Sequence, residues 1–478
     1  MAKKFYLTVA IPYVNAAPHL GHALEFLQGD VIARYHRLLG DNTLYLSGSD
    51  ENSLKNVQAA KKQNISTQQL CEQNTQAFKK LLKKLNISID IWQRGSSQTK
   101  HWPGIRELWQ CCQKSGDIYK KKYQGLYCIG CEEFKREKDL VNGRCPEHPH
   151  KKLEVVEEEN YFFRLSKYEK QLLQLIKSDK LQIIPQKRKN ETLGFIKQGL
   201  EDFSISRSVE RAHGWGIPVP DDDSQIIYVW YDALAEYITG IGWNWGLKKF
   251  HQWWPAELHI IGKGINRFHT IYWPAMLMSA GLALPKSVLI HGYITVDGRK
   301  MGKSIGNVVD PLELVKKYGT DAVRYYLLKE IPTTDDGDFT EKRFKELYNA
   351  DLANGIGNLV QRLARLCQNS GANFPKNKLQ AYQKPGQTKK FIDNYRFNEA
   401  LAHIWTYIKS LDKKIDQTKP WEKSGQDLGK ILSLLVPEIQ QIGSYLTPFL
   451  PETSQKIQKI FAGPKIRAPK KPLFPRLK

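Results

Sequence analysis

Residues 4–39 read KFYLTVAIPYVNAAPHLGHALEFLQGDVIARYHRLL. Lys4–Ile11 is branched and apolar like a buried strand, and Pro12–Pro18 reads as a loop. From His19 to Leu39 the residues Leu20, Leu24, Leu27, Val31, Ile32, Tyr35 and Leu38 recur at helical spacing, so a helix follows. Working outward, Asn42–Ser47 is a second strand and Gln58–Lys84 reads as helical. Strand–helix alternation of this kind predicts a doubly wound parallel sheet. It breaks at Ile118–Lys152, rich in Cys, Lys and Gly, and resumes at Gln225–Ile241, Glu257–Gly281 and Ser287–Thr295. From about Glu341 onward the text is helical, as in Asn349–Cys367, Phe391–Lys414 and Leu428–Ser444, with Asn373–Lys390 a loop between helices.

The 478 residues suggest roughly three domains and ample core without disulfide staples. A hydrophobic content of 41% with 12 Trp excludes a disordered or fibrous chain. No apolar run is long enough to cross a membrane: Ile271–Leu284 is short and interrupted by Pro274. The start MAKKFYLTVAI lacks the long apolar region of a signal peptide. Seven cysteines, two of them adjacent at Cys111 and Cys112, argue against a secreted disulfide framework. A soluble, cytoplasmic protein is therefore expected. The 72 Lys+Arg against 49 Asp+Glu, a net +23, favour a polyanionic partner without naming it.

Three motifs carry chemistry. His19-Leu20-Gly21-His22 sits where the first strand hands over to the first helix. A helix N-terminus offers free N–H groups and the positive dipole end, a seat for phosphate. His19 and His22, three apart, can donate to one phosphate chain, and Gly21 leaves room for a nucleotide base. The second motif is Lys300-Met301-Gly302-Lys303-Ser304, on a loop after the turn Asp297-Gly298. Two lysines there can fold over a nucleotide and neutralise departing pyrophosphate. The third is Cys128-x2-Cys131-x13-Cys145-x2-His148, the spacing of a tetrahedral, structural zinc site, with His150 an alternative fourth ligand.

HLGH followed by KMGKS resembles the HIGH and KMSKS pair of class I aminoacyl-tRNA synthetases. The wider text resembles the methionyl-tRNA synthetases over essentially the whole chain: AIPYVNAAPHLGH, SGSDEN, the Cys-rich knuckle, DFSISR, YVWYDAL, IIGKGINRFHTIYWPAML, DGRKMGKS, NGIGNLVQR and KPW. The resemblance implies a Rossmann-like catalytic domain, residues 1–116 and 216–295, split by a connective insertion with the zinc knuckle at 117–215. A KMSKS loop and stem-contact region at 296–345 and an all-α anticodon-binding bundle at 346–478 would follow. The implied activity is ATP-dependent activation of L-methionine and its transfer to tRNA(Met), with Mg2+ and one structural Zn2+. Another class I synthetase for an aliphatic amino acid, or a catalytically impaired tRNA-binding paralogue, is the alternative.

The residues carried over are specific. His19, His22, Lys300 and Lys303 would be catalytic, and Gly21, Glu25, Met301 and Ser304 would join them in binding ATP. A selective pocket for the flexible, polarisable methionine side chain should be lined with aromatic residues, and Tyr13, Trp230, Tyr237, His269 and Trp273 qualify. Ile11, Ala233, Leu234 and Ile265 match further pocket positions, and Asp50 matches the carboxylate that holds the α-ammonium group. Arg207 either supports the closed site through a salt bridge or is a surface arginine. Asn358, Arg362 and Trp421 match the contacts to anticodon bases, by hydrogen bonding and stacking. The chain stops soon after the bundle, short of the dimerising module of some relatives, so a monomer is expected. Three positions depart from the family pattern: Gly302 for serine, Gly264 for a ribose-binding aspartate, and Asn52-Ser53 for His-Gly.

Overall fold

The computed structural model describes residues 3–131, 133–135, 137–301, 306–375 and 386–477, without the side chains of 133 and 138. Gly302, Lys303 and Ser304 lie outside the described residues.

The opening stretch folds as its pattern predicts: strand Lys4–Val9, loop, then helix Leu20–Leu38. The strand is buried along almost its whole length, as expected of a parallel sheet covered on both faces. Six parallel strands form the main sheet in the order Ile91–Arg94, Asn42–Ser49, Lys4–Val9, Leu258–Gly262, Ser287–His291, Gln182–Ile184. The winding reverses between Lys4–Val9 and Leu258–Gly262. In open sheets of this kind the crevice for ligands opens at the carboxyl ends of those strands. One apolar cluster covers one face and runs on through Tyr325, Leu352 and Leu363 into the helical half. The other face packs Tyr6 and Leu46 against Trp109, Tyr231 and Trp273.

The structure refines several expectations. Gln58–Lys84 is two helices, Leu54–Lys62 and Thr67–Lys84. Asn64 turns the chain at φ 52°, and Ser66 caps the second helix in a reciprocal box with Gln69. Ser287–Thr295 is not one strand. It ends at His291, because at Gly292 the backbone passes so close to Asp335 that an added Cβ would lie 2.1 Å from its carbonyl oxygen. The chain then joins a small sheet in which Ile294–Val296 pairs with Arg299–Lys300 and Gly337–Phe339. Asp297 and Gly298, both at positive φ, make the tight turn expected of that dipeptide.

Residues 117–215 hold an antiparallel sheet of Glu133–Lys135, Ile118–Cys128, Glu154–Phe163 and Phe203–Ser204, and they also lend Gln182–Ile184 to the main sheet. The acid-rich stretch Glu154–Glu159 lies in the strand Glu154–Phe163, set opposite basic residues, with Lys122 facing Glu159. In the helical half, Tyr348–Gly357 is π-helical and Asn358–Ser370 continues it as α-helix. Phe391–Lys414 is broken at Tyr395, φ 57°, between helices Gly386–Asp393 and Phe397–Thr418. Gly425–Leu446 and Pro451–Ile460 complete it. Arg324 ties this half to the sheet. Fully buried, it pairs with Asp30 of the first helix at 2.7 Å and donates to the carbonyls of Leu85, Pro448 and Phe449. Among the described residues no helix is long and apolar enough to cross a membrane.

Candidate active site and metal centre

The helix Leu20–Leu38 begins in the crevice, and the two histidines build its cap. His19 Nδ1 accepts from Gly21 N at 3.1 Å, and His22 Nδ1 accepts from His19 N at 3.2 Å. This is the capping-box geometry, made with imidazoles where Ser and Glu are usual. It has a chemical consequence. A ring nitrogen that accepts carries no proton, so each neutral imidazole bears its hydrogen on Nε2 and is a donor there. Burial, with the neighbouring His19, holds His22 well below the ordinary histidine range, so it stays neutral. The rings stack at 3.9 Å. The space over Gly21, expected to admit a base, is taken by the His19 ring, 3.0 Å from an added Cβ.

The aromatic candidates converge on the same crevice from three segments, and a fourth brings Asp50. Ile11 and Tyr13 follow the first strand, and Tyr13 forms a parallel bridge with Asp50 at the end of Asn42–Ser49. The helix Val229–Thr239 contributes Trp230, Ala233, Leu234 and Tyr237, while Ile265, His269 and Trp273 follow Leu258–Gly262. Tyr13 meets Trp230 edge-on at 6.0 Å, and Tyr237 approaches Trp273 at 6.4 Å. His269 Nδ1 donates to Ile265 O at 3.0 Å, so its Nε2 accepts from the Tyr237 hydroxyl at 2.8 Å. Burial lowers the His269 pKa to about 4, which keeps this wall uncharged. His269 lies in a π-helical turn, Phe268–Tyr272, that widens the helix before Trp273.

Part of the pocket's support comes from residues outside the motifs. Phe268 stacks on Trp230 at 3.8 Å. Asp232 accepts from Asn52 Nδ2 at 2.8 Å and bonds His101, so Asn52 riveted to the pocket helix is one use of that departure. No local pattern in the sequence signals these pairs. The space beside Gly264 holds the Tyr293 hydroxyl, 2.1 Å from an added Cβ. Glu25 bonds His291 at 2.9 Å. Arg207 makes no ion pair among the described residues. It lies over Tyr228 at 4.3 Å and donates to Ser204 Oγ at 2.8 Å. Of the lysine loop, Lys300 ends a short strand with its ammonium 3.9 Å from Glu147, and Met301 is half-buried beside it.

The fourfold cluster forms as spaced. Cys128, Cys131, Cys145 and His148 place their ligand atoms within 4.8 Å of one another, with Cys131 Sγ 3.5 Å from Cys145 Sγ and 3.3 Å from His148 Nδ1. Those separations suit a tetrahedral site for a zinc-sized ion, with three soft thiolates and one imidazole. His148, not the exposed His150, faces the thiols, and its ring lies over Gly130, where any Cβ would clash at 2.4 Å. The knuckle touches the pocket: Trp230 Nε1 donates to Cys131 O at 3.4 Å.

Far from the crevice, Arg362 and Asn358 share one helix face. The Arg362 guanidinium lies 5.0 Å from the Trp421 ring and is paired with Asp412 at 3.2 Å and Asp416 at 2.5 Å. Trp421 sits on the turn Pro420–Glu422, and 51% of it is exposed, far more than a packing tryptophan needs.

A family model described as tRNA synthetases class I (M) matches residues 5–154 and 149–364. A methionine--tRNA ligase of Thermotoga maritima is 40% identical over 95% of this chain and 74% of its own length. One of Synechocystis is 41% identical over 95% of this chain and 88% of its own. The solved Mycobacterium tuberculosis methionyl-tRNA synthetase in complex with methionyl-adenylate superposes with a TM-score of 0.91 at 35% identity, covering 99% of this chain and 100% of that one. Two histidines capping a helix at the sheet's reversal, an aromatic pocket beside them and these likenesses lead to one family: this chain belongs to the methionine--tRNA ligases, within class I (M) of the tRNA synthetases.

Proposed function

We propose that the crevice joins L-methionine to the α-phosphate of ATP, giving methionyl-adenylate and pyrophosphate, and that the chain then transfers methionine to the 3′ end of tRNA(Met). The observation that carries this reading is the adjacency of a neutral aromatic pocket, a buried carboxylate at its mouth and a histidine-capped helix N-terminus. In it, Asp50 holds the α-ammonium group, and Ile11, Tyr13, Trp230, Ala233, Leu234, Tyr237, Ile265, His269 and Trp273 enclose the thioether. The substrate carboxylate attacks the α-phosphorus in line with the departing pyrophosphate. Charge gathers on the phosphate oxygens, where His19 and His22 donate from Nε2 and Lys300 and Lys303 add positive charge. Glu25, Gly21, Met301 and Ser304 complete the nucleotide site, and Mg2+ accompanies ATP as its phosphate counter-ion. No covalent protein intermediate is required. The 2′- or 3′-hydroxyl of the terminal tRNA ribose then attacks the adenylate carbonyl, while Asn358, Arg362 and Trp421 read the anticodon some distance away.

We read 1–116 with 216–295 as the catalytic domain, 117–215 as the connective insertion, 296–345 as the loop and stem-contact region, and 346–478 as the anticodon-binding bundle. The working unit in this reading is a cytoplasmic monomer, and the cysteines, none of them in a disulfide among the described residues, suit that compartment. Amino-acid-dependent exchange of labelled pyrophosphate into ATP, run with all twenty amino acids, tests the activity. Methionine should support it, and exchange with isoleucine instead, or with none, overturns the reading.

Elemental analysis of the purified protein should find about one zinc per chain, the number a closed four-ligand shell holds. Cys145→Ser should lose it. Because Trp230 leans on the Cys131 carbonyl, the zinc-free protein should also bind methionine more weakly by calorimetry. A full zinc complement in the variant would void the assignment.

A further inference from the structure

Glu25 rises from the second turn of the helix Leu20–Leu38 and reaches across the reversal point to the ends of two strands. The backbone of Gly262, which ends Leu258–Gly262, favours the charged form of the Glu25 carboxyl. His291 Nε2, on the residue that ends Ser287–His291, lies 2.9 Å from Glu25 Oε2. Both side chains are largely enclosed, 7% exposed for His291 and 12% for Glu25.

The other ring nitrogen settles the proton count. His291 Nδ1 is 2.7 Å from the Gly292 carbonyl oxygen, which can only accept, so Nδ1 carries hydrogen. Nε2 then bears a proton only in the imidazolium form. In the neutral ring it presents a lone pair, and a carboxylate at 2.9 Å would set lone pair against lone pair. The contact therefore needs one further proton, held on Nε2 or on Oε2, with the pair neutral overall in either case. Burial raises the Glu25 carboxyl above its ordinary range, opposed by the bond to His291.

The groups facing the pair do not titrate in its place. On the same helix His22 is kept neutral by burial. Tyr237 from the pocket helix and Tyr45 from Asn42–Ser49 are pushed well above the usual phenol range, by burial first, and then by the Glu25 charge at Tyr237 and by Asp30 ahead of Glu25 at Tyr45. Tyr293, beside His291 over Gly262, is raised to about 12 by burial. Lys263, over the Tyr293 ring at 4.6 Å, is held by Asp336 at 2.6 Å.

We propose that His291 is a positioning residue for ATP: by sharing one proton with Glu25 it pins that carboxyl between two strand ends, as an acceptor aimed at the nucleotide's ribose hydroxyls. The inference rests on the reading of this crevice as the nucleotide site with Glu25 in it. When the shared proton leaves at higher pH, Nε2 and Oε2 repel, Glu25 swings from its place and ATP is held less well. Methionine, bound by other segments, is not affected.

The test is methionine-dependent pyrophosphate exchange across the neutral to alkaline range, comparing KM for ATP with KM for methionine. His291→Asn should raise the KM for ATP about tenfold at neutral pH, leave that for methionine within about twofold, and flatten the rise in KM for ATP with pH. Glu25→Gln is the second variant. Its amide N–H donates to the lone pair of Nε2 without any shared proton, so it too should flatten the pH profile while keeping an acceptor oxygen. Glu25→Ala separates the role of Glu25 from that of His291. If it leaves the KM for ATP unchanged, the nucleotide reading of Glu25 falls. If it raises that KM while His291→Asn does not, or if both pH profiles match wild type, the role of His291 falls and the site reading stands.

Discussion

His22→Gln will slow adenylate formation by about two to three orders of magnitude, the usual loss of a donor aimed at developing charge, while the melting temperature stays close to wild type. Glutamine at the third helical position can accept from the His19 N–H as His22 Nδ1 does, so the cap survives. What it cannot reproduce is the rigid imidazole that fixes one nitrogen on the backbone and leaves Nε2–H as the donor. His22→Ala removes donor and cap together and should also cost about 1 kcal/mol of stability. Single-turnover adenylate formation and thermal melting measure the two effects separately. A rate within a few-fold of wild type in His22→Gln would remove His22 from the transition state.

Asp50→Ala should raise the KM for methionine by two to three orders of magnitude and leave that for ATP nearly unchanged, since deleting one partner of a buried charge pair costs about 3–5 kcal/mol. The carboxylate is only 3% exposed, so water replaces it poorly. Its position does not depend on its own side chain. Asp50 N donates to Pro12 O at 2.9 Å, and Asp50 O accepts from Asn56 Nδ2 at 3.0 Å, so alanine should keep the same backbone. The loss can then be read as lost substrate contact. Calorimetry with methionine, and with an analogue lacking the amino group, checks it: the analogue should bind wild type and variant alike. An unchanged affinity for methionine itself would remove Asp50 from the ammonium site.

Much of this molecule is legible along the chain because its decisive signals are local. The strand, loop and helix of residues 4–39 follow from apolar periodicity, and the Cys and His ligands follow from spacing, since both express contacts within a few residues or across one loop. The turn at Asp297-Gly298 is local for the same reason, φ being positive at both residues. Elements defined by distant partners were not legible. Gln182–Ile184 is three residues long and becomes a strand only because Ser287–His291 offers a free edge. The break after His291 comes from Asp335, which lies more than forty positions away in the chain.

The candidate site divides along the same line. Residue identity along the chain already says which chemistry is present: imidazoles at a helix start, aromatic residues in three segments, a carboxylate at a strand end, and thiols at metal spacing. Packing alone sets how those groups are held, which proton each imidazole carries, that His148 and not His150 faces the thiols, and that Glu25 meets His291. The physical reason is that side-chain type is a property of one residue. Tautomer, burial and the second partner of a hydrogen bond belong to pairs brought together by packing, such as Glu25 and His291, which no local pattern records.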